Sequence, residues 1–310
     1  MILVGGENLI DFIESSDGTF TANLGGGPFN IAKALARQGQ KVGYLTPIST
    51  DQMGDRLAAD LAADGVDILA PRSHAPTSLA LVSLVNGQPS YQFYRQKTAE
   101  RQVSSTMLNR IIPKQATAFQ LGSLALTSGK DADAWAQIYR AKHQRGMFTS
   151  LDPNIRPAFI KNRRKYLTRL DWILPKTDML KLSDEDLNWF YPKRSLERAA
   201  AHLRAKHDIP LLVLTRGAEG ATGFTEHGQF CVSAPKADPF VDAVGAGDTF
   251  MGTLLAQLSE AGLLNRLALE NAAETALRPI LEMAAKAAAM NCETSGCNPP
   301  YKADLIMGRS

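Results

Sequence analysis

The sequence predicts an α/β fold built on a mainly parallel sheet, and three observations lead to that prediction. The chain has 310 residues, of which 45% are hydrophobic, so it can bury a large core. Short apolar runs alternate with helical patterns along most of the chain, as is typical of strands joined by helices. The alternation stops at residues 77–95, where two apolar runs flank Asn86 and Gly87 and predict a hairpin.

The first elements follow from local pattern. Residues 2–4 (ILV) predict a buried strand, and residues 9–13 alternate like a strand or turn after it. Residues 20–22 predict a further strand beyond the turn at Asp17 and Gly18. A helix is expected after the triple glycine of residues 25–27, with Asn30 in its first turn and an end at Gly39.

The later elements are recognised in the same way. Residues 147–151 predict an apolar strand, and residues 211–214 predict another that ends in a glycine-rich turn. Residues 283–290 predict an alanine-rich helix. A further helix is expected to begin near Asp248, because apolar residues recur on one face after it, namely Phe250, Leu254, Leu255 and Leu258.

The most informative segment is DAVGAGDTF at residues 242–250, where two glycines precede a carboxylate at the start of a helix. Glycine allows close approach of an anion to the backbone, and first-turn amides bind phosphate. Asp248 is then placed to take a proton from a hydroxyl. A simple helix cap is the alternative, but it needs neither the two glycines nor the second acid at Asp242.

A second glycine-rich segment, GGGPFN at residues 25–30, also precedes a helix. The glycines allow a small ligand to approach the backbone, and the amide of Asn30 offers a donor and an acceptor to sugar hydroxyls. A flexible turn with a capping Asn is the alternative. Gly-x-Gly-x-x-Gly spacing after the first strand is absent, which argues against a dinucleotide-dependent oxidoreductase.

These two segments, in this order, resemble the signatures of the ribokinase-like (PfkB) family of sugar kinases. The resemblance implies a three-layer α/β/α fold with a small β-sheet lid, formed here by about residues 9–24 and 77–98 in a single domain of residues 1–310. It implies that ATP and Mg²⁺ are used, that Asp248 is the catalytic base, and that the amides around it hold the transferred phosphoryl group. The catalytic residues predicted in this way are Asp248, Gly245, Ala246 and Gly247.

The resemblance also implies where the two substrates bind. Residues 151–157 (LDPNIRP) are similar to a segment of fructokinase-like members that lies near the phosphates and the sugar. The predicted sugar-binding residues are Asp11, Gly26, Gly27, Asn30, Arg95, Asn154 and Arg156. The predicted nucleotide-binding residues are Thr215, Gly217, Gly220 and Asn291, although the glycine-rich turn alone also predicts a plain hairpin.

Two acidic residues are the predicted cation ligands. Asp186 lies where many relatives carry the acid of an Asn-x-x-Glu pair that organises magnesium, but this chain has Ser183 in place of the Asn, and an N-capped acidic helix is the alternative. Asp242 matches an Asp that lies in a potassium-binding loop in several relatives. Val244 replaces the Thr frequent there, which leaves activation by K⁺ open.

Other features limit the function classes. No run of eighteen apolar residues occurs and the start lacks a basic segment, so neither a membrane span nor a signal peptide is expected. We therefore expect a cytoplasmic protein. Three cysteines are expected to be buried free thiols. A net charge of +3 gives no support for nucleic-acid binding.

The sequence therefore predicts an ATP-dependent sugar kinase. Residues 93–101 and the LDPNIRP segment resemble those of fructokinase-like members, which implies a hexose acceptor, with fructose first and 2-keto-3-deoxygluconate second. The keto acid stays in consideration because the guanidinium of Arg95 could pair with its carboxylate, and packing of Arg95 over Tyr94 or Tyr91 is the alternative. A non-catalytic sugar-binding protein on the same fold is the alternative from another class. The apolar lid predicts that two copies could associate through it.

Overall fold

The computed structural model describes residues 1–15, 17–85 and 88–307, which form two β-sheets and the helices around them. The strands are β1 (Ile2–Gly5), β2 (Leu9–Glu14), β3 (Phe20–Gly25), β4 (Val42–Tyr44), β5 (Asp67–Ile68), β6 (Ser78–Val85), β7 (Gln88–Tyr94), β8 (Ala118–Gly122), β9 (Phe148–Asp152), β10 (Met179–Ser183), β11 (Leu211–Thr215), β12 (Ala221–Thr225) and β13 (Gly228–Val232). The helices are α1 (Gly27–Arg37), α2 (Gln52–Ala63), α3 (Ser105–Ile111), α4 (Lys130–His143), α5 (Arg163–Ile173), α6 (Asp184–Phe190), α7 (Leu196–His207), α8 (Ala246–Glu260), α9 (Arg266–Glu270), α10 (Glu274–Asn291) and α11 (Lys302–Met307).

The large sheet has the strand order β13-β12-β11-β10-β9-β8-β1-β4-β5. From β5 to β11 the neighbouring strands pair in parallel, whereas β12 and β13 pair antiparallel at one end. The predicted α/β fold with a mainly parallel sheet is confirmed. The antiparallel pairing of β11 with β12 also means that the glycine-rich turn between them is a hairpin turn, as the alternative interpretation held.

Apolar residues on the two faces of this sheet form separate cores. One core packs β1, β4 and β10 against α1, α8 and α10, and the other packs the opposite face against α4, α5 and α7. Successive residues of β10 alternate between them, since Met179 belongs to the first core and Leu180 to the second. Two helical layers therefore enclose the sheet, giving the three-layer arrangement that the resemblance implied.

The small sheet has the order β3-β2-β6-β7. Strand β2 pairs antiparallel with β3 and parallel with β6, and β6 pairs antiparallel with β7. These strands coincide with the predicted lid segments, 9–24 and 77–98. The predicted turn residues Asn86 and Gly87 lie outside the described residues.

Helix α8 begins earlier than the sequence predicted. Gly245 is its N-cap residue, with φ of 75°, and the first helical residue is Ala246 rather than Asp248. The apolar periodicity located the helix, but its first turn contains glycine and no buried apolar side chain, so periodicity could not locate its start. Asp248 is thus a first-turn residue and not the cap.

Two further expectations concern membranes and cysteines. Among the described helices, none is long and apolar enough to cross a membrane. The three cysteines are free, as predicted, but Cys231 is exposed and Cys292 and Cys297 are half-buried, so the prediction that all three are buried is wrong. Cys231 belongs to β13, an edge strand, where alternate side chains face solvent.

Candidate functional site

A cavity of about 390 Å³ lies where the carboxyl ends of β1, β8 and β9 meet the lid and the first turns of α1 and α8. We call it the acceptor cavity. Ligands of open α/β sheets bind at this edge, because loops diverge there and leave space. Apolar side chains, among them Leu9, Phe93 and Phe159, form one part of its wall. The polar side chains of its wall are those of Glu7, Asp11, Asn30, Ser123, Asn154, Arg156, Lys181 and Asp248.

Asp248 is a buried carboxylate of this cavity. Its Oδ2 accepts a hydrogen bond of 2.8 Å from Nδ2 of Asn30, a residue 218 positions away. Burial raises the pKa of Asp248, although the Asn30 hydrogen bond and the charges of Lys181 and Arg156 act to lower it. A carboxylate with a raised pKa is a stronger base than a solvated one, so Asp248 is suited to accept a proton.

Asn30 therefore orients the predicted base, a role that its sequence position did not reveal. Its Oδ1 is buried and has no hydrogen-bond partner among the described residues. Because Asn30 lines the acceptor cavity, a hydroxyl bound there can donate to this oxygen. The predicted contact between Asn30 and a sugar thus fits the structure, beside the contact with Asp248.

The turn before α1 is shaped by glycine and by Glu7. Gly26 has φ of 114°, and a Cβ on it would lie 2.6 Å from the carbonyl oxygen of Glu7, so only glycine fits. The Glu7 carboxylate accepts hydrogen bonds from the amides of Gly27 (3.1 Å) and Leu124 (3.0 Å). Burial raises the pKa of Glu7 to about 7. Glu7 thus holds two segments of the cavity wall together.

Asp11, Asn154 and Arg156, three of the predicted sugar-binding residues, also line the polar wall. Burial and the neighbouring charge of Asp248 raise the pKa of Asp11 to about 6. A hydroxyl that donates a hydrogen bond to this carboxylate therefore offsets part of the free-energy cost of burying its charge. A Cβ on Gly27 would lie 3.1 Å from Nδ2 of Asn154, so Gly27 lets this amide approach.

The loop before α8 is held by Asn291. Nδ2 of Asn291 donates to the carbonyl oxygen of Val244 at 2.8 Å, and its Oδ1 accepts from Thr249 (3.2 Å) and from the amide of Asn298 (2.9 Å). Asn291 is fully buried, so its side chain does not reach a nucleotide. Asn291 is not among the residues that line the nucleotide cavity described below, and its hydrogen bonds position the loop beside Asp248.

The backbone amides of that loop and of the first turn of α8 differ in whether they are free to bind a ligand. The amide of Ala246 donates to the carbonyl oxygen of Ala243 at 3.2 Å, and that of Thr249 closes the first helical turn on Gly245 at 2.8 Å. The amides of Gly247 and Asp248 belong to the first turn, where the helix itself supplies no acceptor. An anion can therefore be bound by these two, while the predicted contribution of Ala246 is weakened by its existing partner.

A second cavity, of about 450 Å³, meets the first at Ala243 and Gly247, which line both. We call it the nucleotide cavity. Three of the four predicted nucleotide-binding residues line it, namely Thr215, Gly217 and Gly220. Most of its remaining wall is apolar, as suits the flat face of a base.

Arg95 does not reach the acceptor cavity. It is buried in an ion pair with Glu100, with Nε and Nη2 at 2.9 and 3.1 Å from the two carboxylate oxygens. The sequence predicted an arginine facing a substrate, because its partner five residues later was not recognised. The described ring contacts include no stacking of Arg95 on Tyr94, and the side chain of Tyr91 lies outside the described residues.

The predicted metal ligands are used in another way. Asp186 forms a capping box with Ser183, and its Oδ1 accepts from the amide of Ile155 at 2.6 Å, so it holds the LDPNIRP loop. The alternative interpretation of an N-capped acidic helix is thus correct. The carboxylate of Asp242 accepts from the amides of Val244 (2.7 Å) and Gly296 (2.8 Å). In the described part of the chain, no cluster of three or more acidic, histidine or cysteine side chains could hold a metal ion.

Two wall residues were missed by the sequence analysis. Lys181 is a charged residue inside the otherwise apolar run of β10, and that interruption was a signal. Glu7 follows two glycines at the end of β1, at the carboxyl edge of the sheet where ligands bind. Neither belongs to the glycine-rich segments at residues 25–30 and 242–250.

Comparison with known proteins identifies the family of this chain. The model of the pfkB family carbohydrate kinases matches residues 1–304. A fructokinase of Rhizobium leguminosarum bv. trifolii is 36% identical over 286 residues, covering 90% of this chain and 86% of the relative. Probable fructokinase-3 of Arabidopsis thaliana is 29% identical, with 98% and 89% covered.

Solved structures are similar over almost the whole chain. The fructokinase of Xylella fastidiosa with bound ATP has a TM-score of 0.89 and 26% identity, covering 98% of this chain and 97% of that one. The fructokinase of Vibrio cholerae O395 in its form with fructose, ADP and calcium has a TM-score of 0.83 at 23% identity, with 98% and 97% covered, which supports the fold alone. With the family match and the Rhizobium relative, these similarities show that the chain belongs to the pfkB family of carbohydrate kinases, enzymes that transfer a phosphoryl group to a sugar hydroxyl.

Proposed function

We propose that this chain transfers the γ-phosphoryl group of ATP to a primary hydroxyl of fructose. The observation that carries the proposal is the junction of the two cavities at Gly247, with Asp248 beside it. An acceptor in one cavity and a nucleotide in the other meet at a base and at two helix-start amides. The names of the relatives, above all the 36% identical fructokinase, favour fructose as the acceptor.

The chemistry assigned to these residues is one displacement. Asp248 takes the proton of the acceptor hydroxyl while its oxygen bonds to the γ-phosphorus. The bond from that phosphorus to the β–γ bridging oxygen breaks, and ADP leaves with the electron pair. The amides of Gly247 and Asp248 face the charge that spreads over the phosphoryl oxygens. The lid covers the cavity and limits the access of water, a competing acceptor.

The residues fit ATP better than they fit a protein-held metal. Thr215, Gly217 and Gly220 would contact the nucleotide, while Asp186 and Asp242 already accept backbone amides. Mg²⁺ commonly keeps several waters and binds substrate phosphates, so we propose that it arrives with the nucleotide rather than in a cage of side chains. It would neutralise phosphate charge there. Potassium activation at Asp242 stays an open prediction.

A keto-acid acceptor is the second candidate, and Arg156 favours it. This guanidinium is exposed at the wall of the acceptor cavity, and it donates a hydrogen bond to the carbonyl oxygen of Ile155 at 3.3 Å. It could pair with the carboxylate of 2-keto-3-deoxygluconate. Arg95, which the sequence analysis considered for that task, is paired with Glu100.

The test is a comparison of kcat/KM at saturating ATP and magnesium for fructose, 2-keto-3-deoxygluconate, ribose and adenosine. We expect fructose to give the highest value, and Asp248→Asn to serve as the inactive control. A higher value for 2-keto-3-deoxygluconate would transfer the assignment to the second candidate. Phosphorylation of none of the four would favour the non-catalytic alternative.

Association of two copies through the lid remains part of this proposal. Among the lid side chains that the structure describes, three large apolar or aromatic ones are exposed, namely Ile13, Phe20 and Tyr94. Exposed apolar surface on a sheet is suited to an interface. The mass of the protein in solution, measured by light scattering at several concentrations, tests this expectation.

A further inference from the structure

Lys181 lies at the junction of the two cavities, and neither the motifs nor the chemistry described so far gives it a task. It is the third residue of β10, on the same face as Met179, which faces α8. The side chain is buried and lines the acceptor cavity. A Cβ on Gly247 would lie 3.1 Å from its Nζ, so the ammonium lies directly beside the anion-binding turn.

The hydrogen-bonding capacity of this ammonium is incompletely used. Nζ donates to Oδ2 of Asp152 at 3.0 Å, and both side chains are buried. An ammonium has three protons to donate, and among the described residues the structure gives it this one acceptor. The other carboxylate oxygen, Oδ1 of Asp152, is buried without a described hydrogen-bond partner. Such a pair is costly unless a ligand supplies the missing partners.

The charges around Lys181 keep its ammonium protonated. The buried carboxylates of Asp152 and Asp248 flank Lys181, and Asp11 lies across the cavity. Burial acts to lower the pKa of Lys181, but the charges of Asp152, Asp186 and Asp248 outweigh it and raise the pKa. The side chain is therefore a cation at neutral pH. The other basic side chain of the wall, that of Arg156, is exposed, whereas Lys181 is enclosed.

We propose that the ammonium of Lys181 donates hydrogen bonds to the phosphoryl group as it passes from the nucleotide to the acceptor, and that Asp152 holds the ammonium in place for this contact. The proposal rests on the proposed phosphoryl transfer but not on which sugar accepts it. In that transfer the acceptor oxygen bonds to the γ-phosphorus, the bond to the β–γ bridging oxygen breaks, and the hydroxyl proton goes to Asp248. Lys181 keeps its proton throughout and compensates the charge of the phosphoryl oxygens.

The first test uses Lys181→Met, Lys181→Arg and the double variant Lys181→Met/Asp152→Asn. The double variant leaves no unpaired buried carboxylate, so it remains informative if the single Met variant does not fold. We expect kcat to fall about a hundredfold without the ammonium, by analogy with the loss of one oxyanion donor. The KM for the sugar should change little, because Lys181 is assigned to the phosphoryl group. Lys181→Arg should keep more activity than Lys181→Met.

The second test needs no acceptor, so it separates this proposal from the choice of sugar. The dissociation constants of ATP and ADP are measured by calorimetry in one magnesium-containing buffer. Loss of a charge-assisted hydrogen bond should weaken ATP binding about tenfold and leave ADP binding nearly unchanged. If the wild-type enzyme does not phosphorylate fructose, the proposed substrate is rejected. The ratio of ATP affinity to ADP affinity can still be measured, and it tests the role of Lys181 separately.

Lys33→Met is the matched control, because Lys33 is also buried and ion-paired, to Asp60 at 2.5 Å, but lines neither cavity. We expect its kcat and its ATP-to-ADP affinity ratio to stay near those of the wild-type enzyme. A folded Lys181→Met/Asp152→Asn variant with kcat within threefold of wild type would overturn the proposal. So would a loss of kcat with an unchanged ATP-to-ADP ratio, since a merely structural role would produce that pattern.

Discussion

At the scale of the residue, the environment of Asp248 explains how an ordinary carboxylate becomes a candidate base. Burial raises its pKa, and the amide of Asn30 fixes one of its oxygens at 2.8 Å. The other oxygen, Oδ1, lies 3.3 Å from the place that a Cβ on Gly27 would occupy. The absence of a side chain at Gly27 thus leaves room for a hydroxyl beside the unpaired oxygen.

The first prediction at this scale concerns Asp248→Asn. The amide keeps the size of the side chain and an oxygen that can accept from Asn30, but it cannot take a proton. We expect kcat to fall between about a hundredfold and ten-thousandfold, the usual cost of losing a general base. The thermal midpoint and sugar binding should stay close to wild type.

Asp184→Asn is the control for that change, because Asp184 is also a first-turn acid but lies on α6, outside both cavities. Kinetic constants and a thermal melt of each variant check the expectation. Turnover of Asp248→Asn within a fewfold of wild type would remove Asp248 from the catalytic role.

At the scale of the element, the start of α8 depends on two glycines for different reasons. Gly245 has φ of 75°, and a Cβ on it would collide with the side chain of Cys297. Gly247 has an ordinary φ, and a Cβ there would approach Nζ of Lys181 to 3.1 Å. Glycine at position 245 thus allows the loop to pack against Cys297, and glycine at position 247 keeps the ligand-binding space beside Lys181 open.

The two alanine variants are therefore expected to differ. Gly247→Ala should lower kcat and leave the thermal midpoint nearly unchanged, because the methyl group enters the cavity junction. Gly245→Ala should lower the thermal midpoint as well, because the residue would be strained and crowded. Combining it with Cys297→Ala should restore part of the lost stability.

Thermal melts and steady-state kinetics of the three variants measure this difference. The sequence assigned both glycines to the catalytic site and gave no distinction between them. Equal thermal midpoints for Gly245→Ala and Gly247→Ala would contradict the distinction that the structure makes.

At the scale of the whole molecule, several buried acids shape the dependence of stability on pH. Burial raises the pKa of Glu7 to about 7 and those of Asp11 and Asp152 to about 6. Between about pH 4 and 7 the folded protein therefore binds protons that the unfolded chain releases. These groups lower the free energy of unfolding as pH rises through that window.

The prediction is tested by the difference in the free energy of unfolding between wild type and Glu7→Gln. Groups with the opposite pH dependence, such as His207, whose pKa is lowered by burial, are present in both proteins and cancel in this difference. The stability of wild type relative to Glu7→Gln should decrease as pH rises from about 5 to 8. Denaturant unfolding at several pH values measures it, with Glu14→Gln in the lid as the control. A relative stability that increases with pH would contradict the raised pKa of Glu7.

The fold and much of the site could be predicted because their signals are local. The period of apolar residues located β1, β9, β11 and α8, and two glycine-rich segments located Asn30 and Asp248. Asn291 and Asp186 were assigned to ligands because their partners, the Val244 carbonyl and the Ile155 amide, are fixed by tertiary structure. A single sequence gives no sign of such partners.

Arg95 and Lys181 also show that the sequence does not reveal the partners of a charged side chain. The charge of Arg95 suggested a substrate contact, but folding places Glu100 beside it. The charge of Lys181 was overlooked within an apolar strand, yet folding places it on the wall of the cavity. The role of a charged side chain depends on its burial and its neighbours. Both are set by tertiary structure, here by the pairing of the strands.

The hydrogen bond between Asn30 and Asp248 has a consequence for assembly of the protein during refolding. It joins positions 218 residues apart, one from the first helix and one from the eighth. Contacts between such distant positions close the largest loops of a chain and form late. Recovery of catalytic turnover is therefore a reporter of the completed molecule, whereas recovery of helical signal can precede it.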